Sequence, residues 1–208
     1  MTIFTKVGIK PLGRRAARAA LVLAALLASR DGASSAGGTI SGTVQATPEK
    51  YLEETVVYLE NVPGSYPPRT HSMDQKGMRF APHVLAITKG DTVKFLNHDA
   101  VAHNVYSADQ EAYNLGAFKP GEDRAVTFDK ATGVYTQLCS IHPEMLGFIF
   151  VSQNPYSAVA DRQGRFSISG VPPGTYRLMV WNSHLKAPPQ SVTIAAGQTA
   201  DPHIALKR

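Results

Sequence analysis

Three residues with soft or borderline metal donors stand three positions apart in "CSIHPEM": Cys139, His142 and Met145. A thiolate, an imidazole and a thioether suit copper better than calcium or magnesium, which take oxygen ligands. The run before them, "VYTQL", alternates so that Tyr135, Gln137 and Cys139 share one face, presenting the thiol inward at a strand end. The chain must then turn. The short span from Cys139 to Met145 can wrap one ion before "GFIFV" leaves as a new strand, with Gly147 easing the turn. A trigonal His2Cys site with a long axial Met is a copper electron-transfer geometry, and it requires a second histidine. "NHDAVAHNVYS" offers His98 and His103. His103, followed by Asn104 and placed after the strand-like "DTVKFLN", is the better candidate, and His98 reads as a solvent-facing loop residue.

These residues need a scaffold and a compartment. The chain of 208 residues has 43% hydrophobic content, enough for a packed core, and allows one large domain or two small ones. Its formal charge of +5 is local. Residues 1–36 hold six basic side chains and one acidic, which leaves fifteen of each sign in the remainder. No basic stripe argues for nucleic acid. The cationic start, the apolar run "AALVLAALLA" and the small residues "GASSAGG" have the layout of a secretory signal peptide over 1–36, cleaved after Ala36. The apolar run is too short to span a bilayer, so the mature chain is expected to carry no membrane span and to be periplasmic. Export favours disulfides, yet Cys139 is the sole cysteine. That leaves it as a dimer link, a buried bystander or a ligand.

From Thr39 onward the chain reads as short β-runs separated by turns: "TISGTVQA", "ETVVYLENV", "HVLAITKGDTVKFLNH", "RAVTFDKATGVYTQLC", "GFIFVSQ", "GRFSISGVPPGTYRLMVWNS" and "QSVTIAAGQTADPHIAL". "PGSYPPRT" reads as a linker and "SADQEAYN" as a turn or short helix. Many short strands with turn signals predict an all-β protein built from sandwiches.

The stretch "GMRFAPHVLAITKGDTVKFLNHDAVAHNVYS", followed by "AVTFDKATGVYTQLCSIHPEMLGFIFV", resembles the cupredoxins (type-1 blue copper proteins, amicyanin/plastocyanin-like). The short Cys-x2-His-x2-Met spacing with Pro143 after the histidine is of the amicyanin kind, and Phe80 and Pro82 match the F-x-P of the opening strand. The resemblance implies a Greek-key sandwich holding one type-1 copper ion. Cys139 would supply the thiolate, His103 and His142 ring nitrogens, and Met145 a weak axial sulfur. Asn104 would tie the ligand loops together near Cys139 and Ser140. Departures are Gln137, where an aromatic residue is common, and Glu144, a carboxylate beside His142.

The tail "VADRQGRFSISGVPPGTYRLMVWNS" resembles a different unit, the carboxypeptidase-regulatory-like (prealbumin-like) β-sandwich. That family starts with strands like "GTISGTVQ" and "TVVYLENV", which here precede the copper stretch. The expected organisation is therefore nested. Residues 38–66 and 153–208 form one discontinuous sandwich, and 67–152 form an inserted cupredoxin domain. Trp181 and Tyr176 read as its core residues. The whole is expected to be no enzyme but a monomeric carrier of single electrons between periplasmic redox proteins, a cytochrome c or a dehydrogenase. A periplasmic copper carrier or store is the alternative. His142 would be the exposed electron edge, surrounded by Pro143, Leu146, Ala100–Ala102 and Gly116–Phe118.

Overall fold

The computed structural model describes Met1, Ile3 and residues 37–208. The expected signal peptide, apart from Met1 and Ile3, therefore lies outside the described residues. Among the described residues no helix is long and apolar enough to cross a membrane.

Two strands open the fold, β1 (Gly38–Gln45) and β2 (Thr55–Glu60), joined by a 3-10 turn, Glu49–Glu54. Nine follow: β3 (Thr70–Gln75), β4 (Phe80–Ala81), β5 (Val84–Thr88), β6 (Thr92–Asn97), β7 (His103–Ser107), β8 (Tyr113–Phe118), β9 (Asp123–Thr127), β10 (Gly133–Leu138) and β11 (Leu146–Ser152). The chain ends with β12 (Ser157–Val159), β13 (Arg165–Val171), β14 (Gly174–Asn182), β15 (Gln190–Ile194), β16 (Thr199–Ala200) and β17 (His203–Ala205).

The strands make four sheets. β4-β3-β6-β9 faces β5-β11-β10-β7-β8 across a core of Met73, Phe95, Phe118, Phe128, Tyr135 and Ile149. A second pair of sheets, β13-β1-β16 with β17 also on β1, and β12-β2-β14-β15, encloses Ile40, Val57, Leu59, Ile168, Leu178 and Ile194. Val44 in β1 pairs with Ile204, and Val57 in β2 pairs with Val180. The first two strands thus associate with residues near the end of the chain.

Three of the turns that join successive strands are corners between sheets. β5 and β6 flank the Lys89-Gly90-Asp91 turn, yet β5 pairs with β11 and β6 with β3 and β9. β13 pairs with β1, and β14 with β2 and β15, so the Pro172-Pro173 turn crosses the core. β1 and β2 divide in the same way. Alternation fixes which face a residue occupies, not which strand lies beside it.

Two segments differ from the reading of the sequence. Part of "SADQEAYN" enters the edge strand β8, and β3 forms directly after the proline-rich linker, parallel to β6. Gly147 lies in a strand rather than a turn. Its need for no side chain is steric, because a Cβ there would lie 2.9 Å from the Phe80 Cβ.

β11 is buried at six consecutive positions. One face enters the core through Ile149 and Val151. The other presents Phe148 and Phe150 to Val56, Tyr58 and Trp181 of the second sandwich. A strand covered on both faces reads as a continuous apolar run, as "GFIFV" does. Trp181 therefore fills the seam between sandwiches, its ring 5.3 Å from Phe148, rather than a single core. Tyr176 is half-buried against the second core and donates its hydroxyl to the Pro172 carbonyl.

Tyr135 is fully buried and donates its hydroxyl to Glu111 at 2.7 Å. Burial pushes this hydroxyl above its ordinary value of 10.0, and the bond to Glu111 and that carboxylate's charge push the same way. The folded state thus keeps a proton that the unfolded chain releases near pH 10. The stabilisation is complete below that pH and is lost as pH rises above it. Tyr135→Phe should cost about 1 kcal/mol at neutral pH, and the gap to the parent chain should narrow as pH rises above about 10 in thermal melts.

Candidate metal centre

The ligand candidates meet at one end of the first sandwich. His103 opens β7, Cys139 follows β10 directly, and His142 and Met145 lie in the loop from β10 to β11. β7 and β10 are neighbours through Leu138 and Tyr106, which brings His103 to the loop although 36 residues separate it from Cys139. Tyr135, Gln137 and Cys139 are all buried, so the alternation carries the thiol inward. The loop is held tight by the Met145 N–H, which donates to the His142 carbonyl at 3.0 Å. Met145 is buried in the same apolar cluster as Cys139.

One ligand atom each from His103, Cys139 and His142 lies within 4.8 Å of the others. The two Nδ1 atoms are 3.0 Å apart, and Cys139 Sγ is 3.9 Å from His142 Nδ1. Such spacings let one ion bind all three, given bonds of about 2.0 Å to nitrogen and about 2.3 Å to sulfur at N/S metal sites. His103 is inaccessible to solvent, whereas His142 is partly exposed. Among the described residues no other group of three His, Cys, Asp or Glu side chains could hold a metal in this way.

The surrounding hydrogen bonds orient the donors. Asp99 Oδ2 accepts from His103 Nε2 at 2.8 Å, which leaves the Nδ1 lone pair for a metal. The N–H of Met78 foremost, then that of Gly77 and the His103 ring, hold the Asp99 carboxyl below its ordinary range. The Asn104 N–H donates to Cys139 Sγ at 3.4 Å. Asn104 Oδ1 accepts from both the N–H and the hydroxyl of Ser140, at 3.2 and 3.0 Å, and so ties the β7 end to the ligand loop.

Asp99 and Asn114 were not visible as site residues in the sequence. Asp99 stands four positions before His103, a spacing that hints at the contact only once the loop geometry is known. Asn114 in β8 accepts from Asn104 Nδ2 at 2.8 Å and so orients it. His98 lies outside the cluster and pairs with Asp74 at 2.8 Å on the surface. His71, His83, His184 and His203 each face a carboxylate: Asp91, Glu54 (shared by His83 and His184) and Asp201. Gln137 fills the place of an aromatic by hydrogen bonding; the Tyr113 hydroxyl donates to its side chain, which donates to the Tyr135 carbonyl. Val101, Ile141 and Leu146, each within four positions of His103 or His142 in sequence, are exposed. Phe118, expected there, is buried in the core instead.

Residues 69–152 match the family of copper binding proteins of the plastocyanin/azurin type. This stretch is a cupredoxin domain. Copper is the cofactor of such domains, and the cluster of two imidazoles and a thiolate fits it. Residues 131–202 also match Polysaccharide lyase family 4, domain II. The matches overlap at 131–152, where β10 and β11 pair within the cupredoxin sheet. The part of the second match that lies in the other sandwich therefore begins at β12. Among solved structures, the chain is similar to a Cu-containing nitrite reductase from Thermus scotoductus SA-01, with 33% identity over 40% of this chain and a TM-score of 0.38. It spans only 22% of that enzyme's length. It is also similar to a purple cupredoxin from Nitrosopumilus maritimus, with 28% identity, 39% of this chain, 98% of the other and a TM-score of 0.37. A reduced amicyanin variant gives 28% identity, 39% and 80% coverage, and a TM-score of 0.37. The match supports a copper-binding protein of the electron-transfer type.

Proposed function

We propose that the chain is an exported carrier of single electrons, with one type-1 copper held by His103, Cys139, His142 and, as a weak axial ligand, Met145. The convergence of three donors within 4.8 Å, in a sequence with a single cysteine, carries this reading. Bound copper supplies a one-electron couple. The protein's own residues do the rest. Asp99 fixes the His103 ring, Asn104 and Ser140 brace the loop around Cys139, and the buried Met145 and Tyr135 exclude water. A site so braced changes little between oxidation states, which favours fast transfer.

His142, half-buried and close in sequence to exposed Ile141 and Leu146, is the edge through which electrons pass. An apolar rim of this kind suits brief contact with a periplasmic cytochrome c or dehydrogenase. The pairing of β1 and β2 with β13 and β14 supports reading 38–66 and 153–208 as one sandwich around an inserted 67–152. The sequence has neither His-x-His nor His-Cys-His, the further copper ligands of multicopper oxidases, which argues for a single-copper shuttle over that class of enzyme.

Stopped-flow mixing of the reduced, copper-loaded chain with oxidised cytochrome c tests the role. Rapid exchange, with copper retained, is the expected result. Slow exchange with ready transfer of copper to an acceptor chelator would instead make the protein a copper carrier or store.

A further inference from the structure

A chain of contacts runs from the second sandwich to the residue after Met145. Glu54, in the 3-10 turn after β1, is largely buried. One of its oxygens accepts from the Ser183 hydroxyl and lies 3.7 Å from His184 Nε2, just beyond β14. The other oxygen faces His83 Nε2 at 3.3 Å. The opposite ring nitrogen, His83 Nδ1, donates to the Leu146 carbonyl at 3.0 Å. The His83 carbonyl in turn accepts from the Phe148 N–H at 2.8 Å, and the ring stands edge-on to Phe148 at 5.5 Å. His83 therefore grips both sides of Gly147, at the point where the ligand loop becomes β11. Glu54 keeps the ring in that position.

We propose that Glu54 and His83 are positioning residues for the copper site, through which the second sandwich fixes where Met145 stands. This rests on the type-1 copper reading above. The Met145 backbone is held on its loop side by the His142 carbonyl, and on its strand side by the clamp on Leu146 and Phe148. Releasing the clamp frees one side only. The axial sulfur is the ligand whose distance tunes the potential of such a site. The second sandwich, which contributes no ligand to the copper site, thereby acquires a role in setting the potential.

The test compares His83→Phe, which keeps the packing against Phe148 but removes the bond to the Leu146 carbonyl and the contact with Glu54, with Glu54→Ala and Glu54→Gln, the latter of which keeps a polar partner for the ring. Each copper-loaded variant is titrated for midpoint potential and its visible and EPR spectra are recorded. Amide exchange is measured on the metal-free chains. His83→Phe and Glu54→Ala should shift the Cu(II)/Cu(I) equilibrium in the same direction by about tenfold, or about 59 mV for one electron. They should also alter the spectrum and speed exchange at the Leu146 and Phe148 amides. Glu54→Gln should restore most of the parent potential. Blue variants with unchanged potential and exchange would overturn the proposal, as would a shift in Glu54→Ala without one in His83→Phe. A parent chain that takes up copper without colour would instead sink the type-1 reading itself.

Discussion

Cys139→Ala is expected to give a folded protein that takes on no blue colour with Cu(II). The intense visible absorption of a type-1 site is charge transfer from the thiolate, and Cys139 is the sole cysteine. The side chain is small and sits buried among Tyr135, Met145 and Ile149, so its truncation should cost only about 1 kcal/mol of stability. The Asn104 N–H loses its sulfur partner, but Asn104 keeps its bonds to Ser140 and Asn114. Folding measured by far-UV circular dichroism should be retained while absorption is lost. A variant that stays blue would place the thiolate elsewhere and contradict the site.

Asp99→Ala should have the next largest effect. The carboxylate holds a buried ring by a 2.8 Å bond and is itself held by two backbone N–H groups from the β3–β4 turn. Without it, His103 is free to rotate or to take the other tautomer, which puts a proton on the nitrogen facing His142. Loss of such a partner weakens metal binding by about 10–100-fold. Competition titration against a copper chelator measures this, and Asp99→Asn, which keeps an acceptor oxygen, should recover part of it. Affinity equal to that of the parent chain in Asp99→Ala would show that the carboxylate does not orient the ligand.

The site was more legible in the sequence than the packing around it. Cys139, His142 and Met145 advertise themselves by donor type and spacing, and the alternation of Tyr135 and Gln137 shows which way the thiol faces. The role of Asn104 became readable through the cupredoxin resemblance, which places it directly after His103. Asp99 did not, because its role depends on the β3–β4 turn folding over the loop and presenting the Gly77 and Met78 amides. That arrangement is tertiary and has no periodic trace.

The strands were legible for a similar reason, and their partners were not. The Pro172-Pro173 turn and the Lys89-Gly90-Asp91 turn look like hairpin tips, but each carries the chain across a core to the opposite sheet. Both kinds of turn join alternating runs, so the pattern is the same. The seam between the sandwiches had a trace that only the structure explains. "GFIFV" is apolar on both faces, because Ile149 enters one core while Phe148 and Phe150 meet Trp181. The Glu54–His83 contact joins residues 29 positions apart in sequence and in different sandwiches, and neither residue type announces it.

One copper ion, bound by this loop, should exchange one electron reversibly, and an anaerobic optical titration of the copper-loaded chain measures this. One electron per chain should bleach the blue absorption and reoxidation should restore it, with copper still bound. Copper binding without the absorption, or release of copper on reduction, would overturn the electron-carrier reading.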